Sequence, residues 1–596
     1  MGKYFYPRHR LGTLAFIVVL SVYCTKPPAA EGTQEENKPA IRIPGVVINS
    51  LTHEPIGRAL VFSPDNRFAT MTDSEGRFEF TFAPAETDPT KDDKAGSTNS
   101  GSTMTTCTGG TCTTYSSPNG IPNRLTTLMA RKPGFLDDHS PQPITEGTEV
   151  TIALTPEALV IGRVVLPTSE ASDTIELELY RRQVQDGRAH WVRTDGASTK
   201  SNGEFRFAEL SAGSYKLLTR ELLDRDPLVF DPRGQLYGYP PVYFPNATDF
   251  AAAQTIQLTA GQIFQADISL VRHAYYPVKV AVANAPPGGV NIVVSAQGHR
   301  GPGFALGYNE RQQVIEGLLP NGNYTLEASG FGANPASGLV NISVKGAAVE
   351  GSRVTMVPNG SIGVNVKEEF TSSQEQGGRN FVINGRNQRG PRGYLNVRLE
   401  PADDFGQERV LWLRPPSVPG DDSLAVEGVP PGRYWVRVDT SRGFVASITS
   451  GSTDLEHHLL VVGQGGSSSS VDITMRDAGA EMDGTIEGAP RASESPAPSV
   501  SVARLATDGP FAHVYCVPLP DSSGEYKDIW VAPDGTFNLP EMPPGTYRVL
   551  AFDHPQPELE YRNPEAMSAY DAKGQVVRLV AGQKEHLQLQ LISTSE

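Results

Sequence analysis

Several things are scarce in this chain. Four cysteines among 596 residues are too few for a disulfide scaffold. Basic charge is the minority, 51 Lys and Arg against 67 Asp and Glu, which argues against the basic stripe of a nucleic-acid binder. Sustained helical periodicity is nearly absent, and Asn563 to Ala572 is the best candidate for one short helix. No apolar run reaches the ~20 residues that a membrane-spanning helix needs. Catalytic signatures are missing as well. None of the 11 histidines has Glu three residues on, and Glu54 after His53 is followed by Pro-Ile-Gly rather than by a zinc-binding pattern. Neither a G-x-S-x-G elbow nor a phosphate-cradling G-x-x-x-x-G-K-[ST] loop occurs.

Turn residues are abundant, with 59 Gly and 48 Pro. One turn phrase returns four times, as Ala212-Gly-Ser-Tyr215, Asn321-Gly-Asn-Tyr324, Pro431-Gly-Arg-Tyr434 and Pro544-Gly-Thr-Tyr547. The glycines stand 109, 110 and 113 residues apart. That period is too long for a solenoid unit, so each copy should be a small domain. Segments such as Val150-Thr-Ile-Ala-Leu154, Ile175-Glu-Leu-Glu-Leu179 and Leu587-Gln-Leu-Gln-Leu591 alternate with period 2, which places one set of side chains in a core and the other in water. The expected fold is all-β, a tandem array of seven-stranded β-sandwiches. In the repeated phrase, glycine should supply a positive φ. The tyrosine should bury its ring and bond its hydroxyl to backbone, as in a tyrosine corner; the functional alternative is a row of ligand-stacking tyrosines.

The expected partition is an export signal and linker over 1–30, then sandwiches over 41–156, 157–272, 273–358, 359–476 and 477–596. Residues 86–119 and 371–393 are read as a disordered insert and a flexible loop, because their Thr, Ser, Gly, Asn and Gln bury little apolar surface. Arg379, Arg386, Arg389 and Arg392 make the second one locally basic. At the N-terminus, Lys3, Arg8 and Arg10 precede an apolar stretch from Leu11 to Val22, the pattern of an export signal. Cys24 is a candidate lipid anchor, although Tyr23 before it is bulkier than lipoprotein signals carry. An anchored and a freely secreted form both fit.

The first span reads Gly45-Val-Val-Ile-Asn-Ser-Leu-Thr-His-Glu-Pro-Ile-Gly-Arg-Ala-Leu-Val61, then Thr72-Asp-Ser-Glu-Gly-Arg-Phe78, then Lys132-Pro-Gly-Phe135. It resembles the carboxypeptidase regulatory-like domain, a transthyretin-like sandwich, with Asn49 and His53 where that family has Asp and Gly. Ser201-Asn-Gly-Glu-Phe205 and Pro533-Asp-Gly-Thr-Phe537 keep part of the pattern. Tyr243-Phe-Pro-Asn-Ala-Thr248 and Leu579-Val-Ala-Gly-Gln583 resemble multi-repeat exported proteins of Acidobacteria. In zinc carboxypeptidases this domain accompanies the catalytic domain without doing chemistry, so the resemblance implies no catalytic, cofactor-binding or metal residue.

The remaining candidates are weaker. Cys107 and Cys112 bracket Thr-Gly-Gly-Thr and could form a local disulfide in an oxidising compartment. Cys516, on an apolar strand, reads as a buried thiol. Asp73-Ser-Glu-Gly76 and Asp534-Gly535 read as hairpin turns more readily than as calcium loops. Gly238-Tyr-Pro-Pro-Val-Tyr-Phe-Pro245 reads as a proline-plugged strand edge or as a sugar platform. Lys279 and Asn341 would have to be buried together with an acid to form an isopeptide bond. Trp191, Trp412, Trp435 and Trp530 lie beside alternating strands, and burial of all four would weaken a glycan-binding reading.

These features point to an exported, non-catalytic cell-envelope protein, periplasmic, outer-membrane-associated or extracellular, that acts as a spacer, adhesin or scaffold for an unidentified surface glycan or protein. The alternative is a carbohydrate-binding protein, or an accessory subunit of an exported peptidase or glycoside hydrolase. No nucleic-acid partner or cofactor is expected, and membrane contact only through a lipid anchor.

Overall fold

Among the described residues, five main hydrophobic cores follow one another, with three smaller clusters beside them, in a computed structural model that describes residues 41–82, 103–108, 111–116, 127–137, 141–144, 148–167, 174–223, 235–296, 299–332, 334–371, 380–383, 386–389, 395–402, 410–414, 423–466, 468–488 and 512–593. The cores draw on residues between Ile43 and Leu154, Ala158 and Leu270, Val278 and Met356, Ile362 and Met475, and Ala480 and Leu589. Each is enclosed by β-strands, and the fold is the expected tandem array of β-sandwiches.

One pairing pattern recurs in all five. The opening strand lies between the closing strand, to which it is parallel, and a middle strand, to which it is antiparallel. Ile41–Asn49 thus pairs with Val150–Leu154 and with Arg77–Phe82. The same holds for Ala158–Val165, His273–Ala283, Gly360–Glu369 and Ala480–Glu487 with their own partners. The opposite sheet centres on the strand that begins at the Gly-x-Tyr phrase, as when Gly213–Thr219 pairs with Glu176–Gln185 and Ile256–Leu258. Alternation produces these layers. Val150–Leu154 buries Val150, Ile152 and Leu154 and exposes the two residues between, as a strand with one face on a core must.

A glycine near the middle of the opening strand has a packing role that the motif reading missed. Gly45, Gly162 and Gly484 stand in register with Phe78, Phe205 and Phe537. A Cβ on each glycine would come within 2.1, 2.7 and 2.8 Å of that ring. The phenylalanine of each T-D-x-x-G-x-F-like turn therefore covers its cross-strand glycine, which is how aromatics support glycines in sheets.

Two expectations of disorder are corrected where short paired strands are described, and the rest of both segments apart from Thr371 lies outside the described residues. Within 86–119, Thr103–Thr108 and Thr111–Ser116 pair as an antiparallel hairpin. Within 371–393, Asn380–Ile383 pairs with Arg386–Arg389. Composition hid the cause. Runs of β-branched threonine favour a strand, and the intervening Gly109-Gly110 and Asn384-Gly385 are the pairs that two-residue hairpin loops select.

Neighbouring spans also share structure. Leu236–Tyr239, from within the second span, pairs with the start of His273–Ala283 and extends the third sandwich's sheet. The expected helix is short, Pro564–Met567 continued by a 3-10 turn, with Asn563 capping it through its side chain. No helix among the described residues is long and apolar enough to cross a membrane.

Candidate functional site

The four repeated tyrosines are core residues. Tyr215, Tyr324, Tyr434 and Tyr547 donate their hydroxyls to the carbonyl four residues back, on Ser211, Pro320, Pro430 and Pro543, at 2.8, 3.0, 2.9 and 2.7 Å. The ligand-stacking reading therefore fails. The glycine has a different role from the one expected. Gly213 alone of the four has a positive φ, 148°. At Gly322 and Gly432 a Cβ would meet the returning tyrosine ring at 2.9 and 3.3 Å, and at Gly545 it would meet Ser522 at 2.6 Å. Space explains three of these glycines, not handedness.

Most other candidates resolve into structure. The Asp73 carboxylate accepts the amides of Glu75 and Arg77, and that of Asp534 accepts the amide and hydroxyl of Thr536, so both close turns. Tyr239, Tyr243 and Phe244 are buried, which removes the sugar platform. Lys279 and Asn341 are exposed on different sheets, unlike a buried isopeptide pair. Cys516 is buried and free, and burial pushes its thiol up to about 12. Cys107 lies opposite Cys112 in the register of its hairpin, with side chains outside the described residues. Cys24 and the export segment are outside them too. Trp412 and Trp530 are 53% and 48% exposed, while Trp191 and Trp435 are half-buried.

The place where titratable groups do gather was not foreseen. Glu176–Gln185 and Arg188–Ser198 form a long hairpin joined by Asp186-Gly187. Both turn residues have positive φ, 48° and 73°, as a two-residue primed turn requires. Only Leu177 to Arg181 is paired on its other side, to Gly213–Thr219, so the tip projects by four residues or roughly 13 Å. It reaches the fourth and fifth sandwiches. Arg182 makes a two-pronged ion pair with Glu560, its Nη2 2.9 Å from Oε2. Asp186 lies 3.0 Å from Arg398. The Arg562 amide donates to the Gly187 carbonyl at 3.1 Å. The Arg188 guanidinium sits 3.6 Å above the Trp435 ring.

Around this tip is a cavity of about 810 Å³ whose lining includes Arg188, Trp435, Arg437, Glu456, Tyr561 and Arg562. Arg437 is only 6% exposed. Its Nε donates to Glu400 at 3.1 Å, and its Nη2 has no hydrogen-bond partner. Burial, together with the charges of Arg562 and Arg188, pushes its guanidinium down to about 9 against the pull of Glu400. Glu400 is shared, since it also accepts from Arg398 at 2.8 Å. The same lining also contains acids. Burial and then the Asp454 charge push Glu456 up to about 7, and a 2.7 Å hydrogen bond to Asp454 raises His457. Asp454, Glu456 and His457 bring one ligand atom each within 4.8 Å of one another. They could contribute to holding a cation, but Nδ1 of His457 is already engaged by Asp454.

No family model matches this chain, and no curated protein matches its sequence. Among solved structures, the Bacillus anthracis TIE protein is 12% identical, with 73% of this chain and 74% of that one covered and a TM-score of 0.15. The minor pilin GBS52 of Streptococcus agalactiae is 11% identical, covering 34% of this chain and 97% of its own, at 0.16. The major pilin subunit BcpA of Bacillus cereus is 10% identical, covering 72% and 99%, at 0.11. TM-scores this low carry no functional argument.

Proposed function

We infer that the protein is an exported, non-catalytic surface scaffold that presents binding surfaces from five tandem sandwiches, with boundaries near residues 156, 273, 359 and 477. Its repeats are of the carboxypeptidase regulatory-like kind, and its partner is a cell-surface glycan or protein. The observation that carries this reading is the cross-brace. A hairpin of the second sandwich is ion-paired to the fourth and the fifth, which holds distant surfaces in fixed relation as a scaffold must and a loose spacer need not. Trp412 and Trp530 supply exposed aromatic faces, the side chains best suited to stack on sugars. Cys24 carries the lipid in an anchored form, and the facing positions of Cys107 and Cys112 suit a cross-strand disulfide.

The test is a pull-down from glycan and envelope fractions with the mature protein and with a Trp412→Ala, Trp530→Ala double variant. Retention by wild type and its loss in the variant support a glycan-binding scaffold. Turnover of a peptide or glycoside by the purified protein would overturn the non-catalytic reading.

A further inference from the structure

We propose that the junction cavity binds an acidic saccharide, with the carboxylate seated among Arg437, Arg188 and Arg562. The lining holds as many carboxylates as guanidiniums or more, so net charge does not mark the site; one buried guanidinium with an unused donor does. Of the cations lining the cavity, Arg398 is matched by Asp186, Glu400 and Asp439, and Arg548 by Asp571. Arg437 has only the shared Glu400, and it lies close enough to Arg188 and Arg562 to be repelled by both. A guanidinium that is almost wholly buried and keeps an unused Nη2 is costly unless an acceptor arrives. Arg562 likewise has an Nε without an acceptor. Planar, charge-assisted donors of this kind match a carboxylate or another oxyanion.

Size and wall chemistry narrow the class. About 810 Å³ is the volume of a pocket for an organic ligand rather than for a bare ion. Trp435, Tyr526 and Tyr561 give it aromatic walls, and Glu456 and Glu525 face it as acceptors. The Glu525 Oε2 is already 3.2 Å from the Lys527 ammonium, so Glu456 is the freer of the two acceptors. Guanidinium donors for a carboxylate and carboxylate acceptors for hydroxyls in one lining fit a uronic acid sugar. Neither Trp412 nor Trp530 lines this cavity, so it can fail while the scaffold reading stands.

The test is calorimetric titration of the mature full-length protein with a uronate tetrasaccharide (tetragalacturonate), a neutral maltotetraose and sodium sulfate at matched ionic strength. The expected result is one uronate site per chain, absent for maltotetraose, with sulfate competing weakly. Arg437→Gln should weaken uronate binding at least tenfold. Arg562→Gln, on a peripheral segment, should do the same if Arg437→Gln does not fold. Failure of the wild type to bind uronate, or undiminished binding by both folded variants, overturns the proposal. Tight sulfate binding without uronate binding overturns the saccharide assignment.

Discussion

Tyr547 is wholly buried, and its hydroxyl both donates to the Pro543 carbonyl and accepts from the Glu525 amide at 3.3 Å. Removing the hydroxyl in Tyr547→Phe leaves a buried carbonyl without that donor and should cost about 1–2 kcal/mol. Removing the ring in Tyr547→Ala should cost about 3–5 kcal/mol, the range for a large core aromatic. Denaturant unfolding of the full chain reads both, and equal effects of the two changes would contradict the assigned roles. This part of the fold was legible in the sequence, because a tyrosine at a fixed offset from a Pro/Gly turn has few ways to satisfy a buried hydroxyl. The role of the neighbouring glycine was not, since a close ring and a positive φ leave the same mark in a sequence. Glu221 gives a second prediction. Burial pushes its carboxyl up to about 7, beside a cavity that also includes Arg220. The folded state therefore holds this proton to higher pH than the unfolded chain does, so stability falls as pH rises from about 4.5 to 7 and stays reduced above. Glu221→Gln should be neutral near pH 4 and stabilising at pH 8, by at most about 3 kcal/mol. Thermal unfolding at the two pH values checks it, and a gain confined to low pH would refute it.

The long hairpin shows what pattern reading can and cannot deliver about an element. Asp186-Gly187 is the kind of pair that two-residue hairpins select, but only the first arm, over Ile175 to Leu179, carries the period-2 alternation of a strand. What the tip touches is not visible, because Glu560 lies 378 residues from Arg182. No local rule joins such partners. The tip is also sterically exacting. A Cβ on Gly187 would stand 2.7 Å from the Tyr561 ring at a φ of 73°. Gly187→Ala should therefore cost about 1–2 kcal/mol from the left-handed backbone alone, and it should also push Tyr561 away from its 3.7 Å stack on Tyr526. The expected outcome is a lower unfolding temperature with altered near-ultraviolet dichroism from those rings. An unchanged aromatic spectrum would mean that the tip does not seat there.

Joining these contacts gives an array that doubles back rather than a string of independent beads. The second sandwich extends the third one's sheet through Leu236–Tyr239 and reaches the fourth and fifth through its hairpin. The strands themselves were readable from repeats and alternation, both of which are local, while their pairing order was not. The doubling back was not, because it rests on a few polar contacts between distant segments that leave no periodic trace. Such contacts can be tested by swapping charge. Arg182→Glu would set two carboxylates together at a partly buried site and should cost about 2 kcal/mol or more of interface stability. Small-angle scattering should then report a larger radius of gyration, with the far-ultraviolet spectrum of the strands unchanged. Adding Glu560→Arg restores the pair in reverse and should return the radius to its original value. A single variant as compact as wild type would show that the brace does not hold the array together. An expanded single variant that the second substitution does not rescue would show that Arg182 acts through something other than Glu560. Restoration by the double variant would make the brace a property of this ion pair, and with it the walls of the cavity that only three sandwiches together can close.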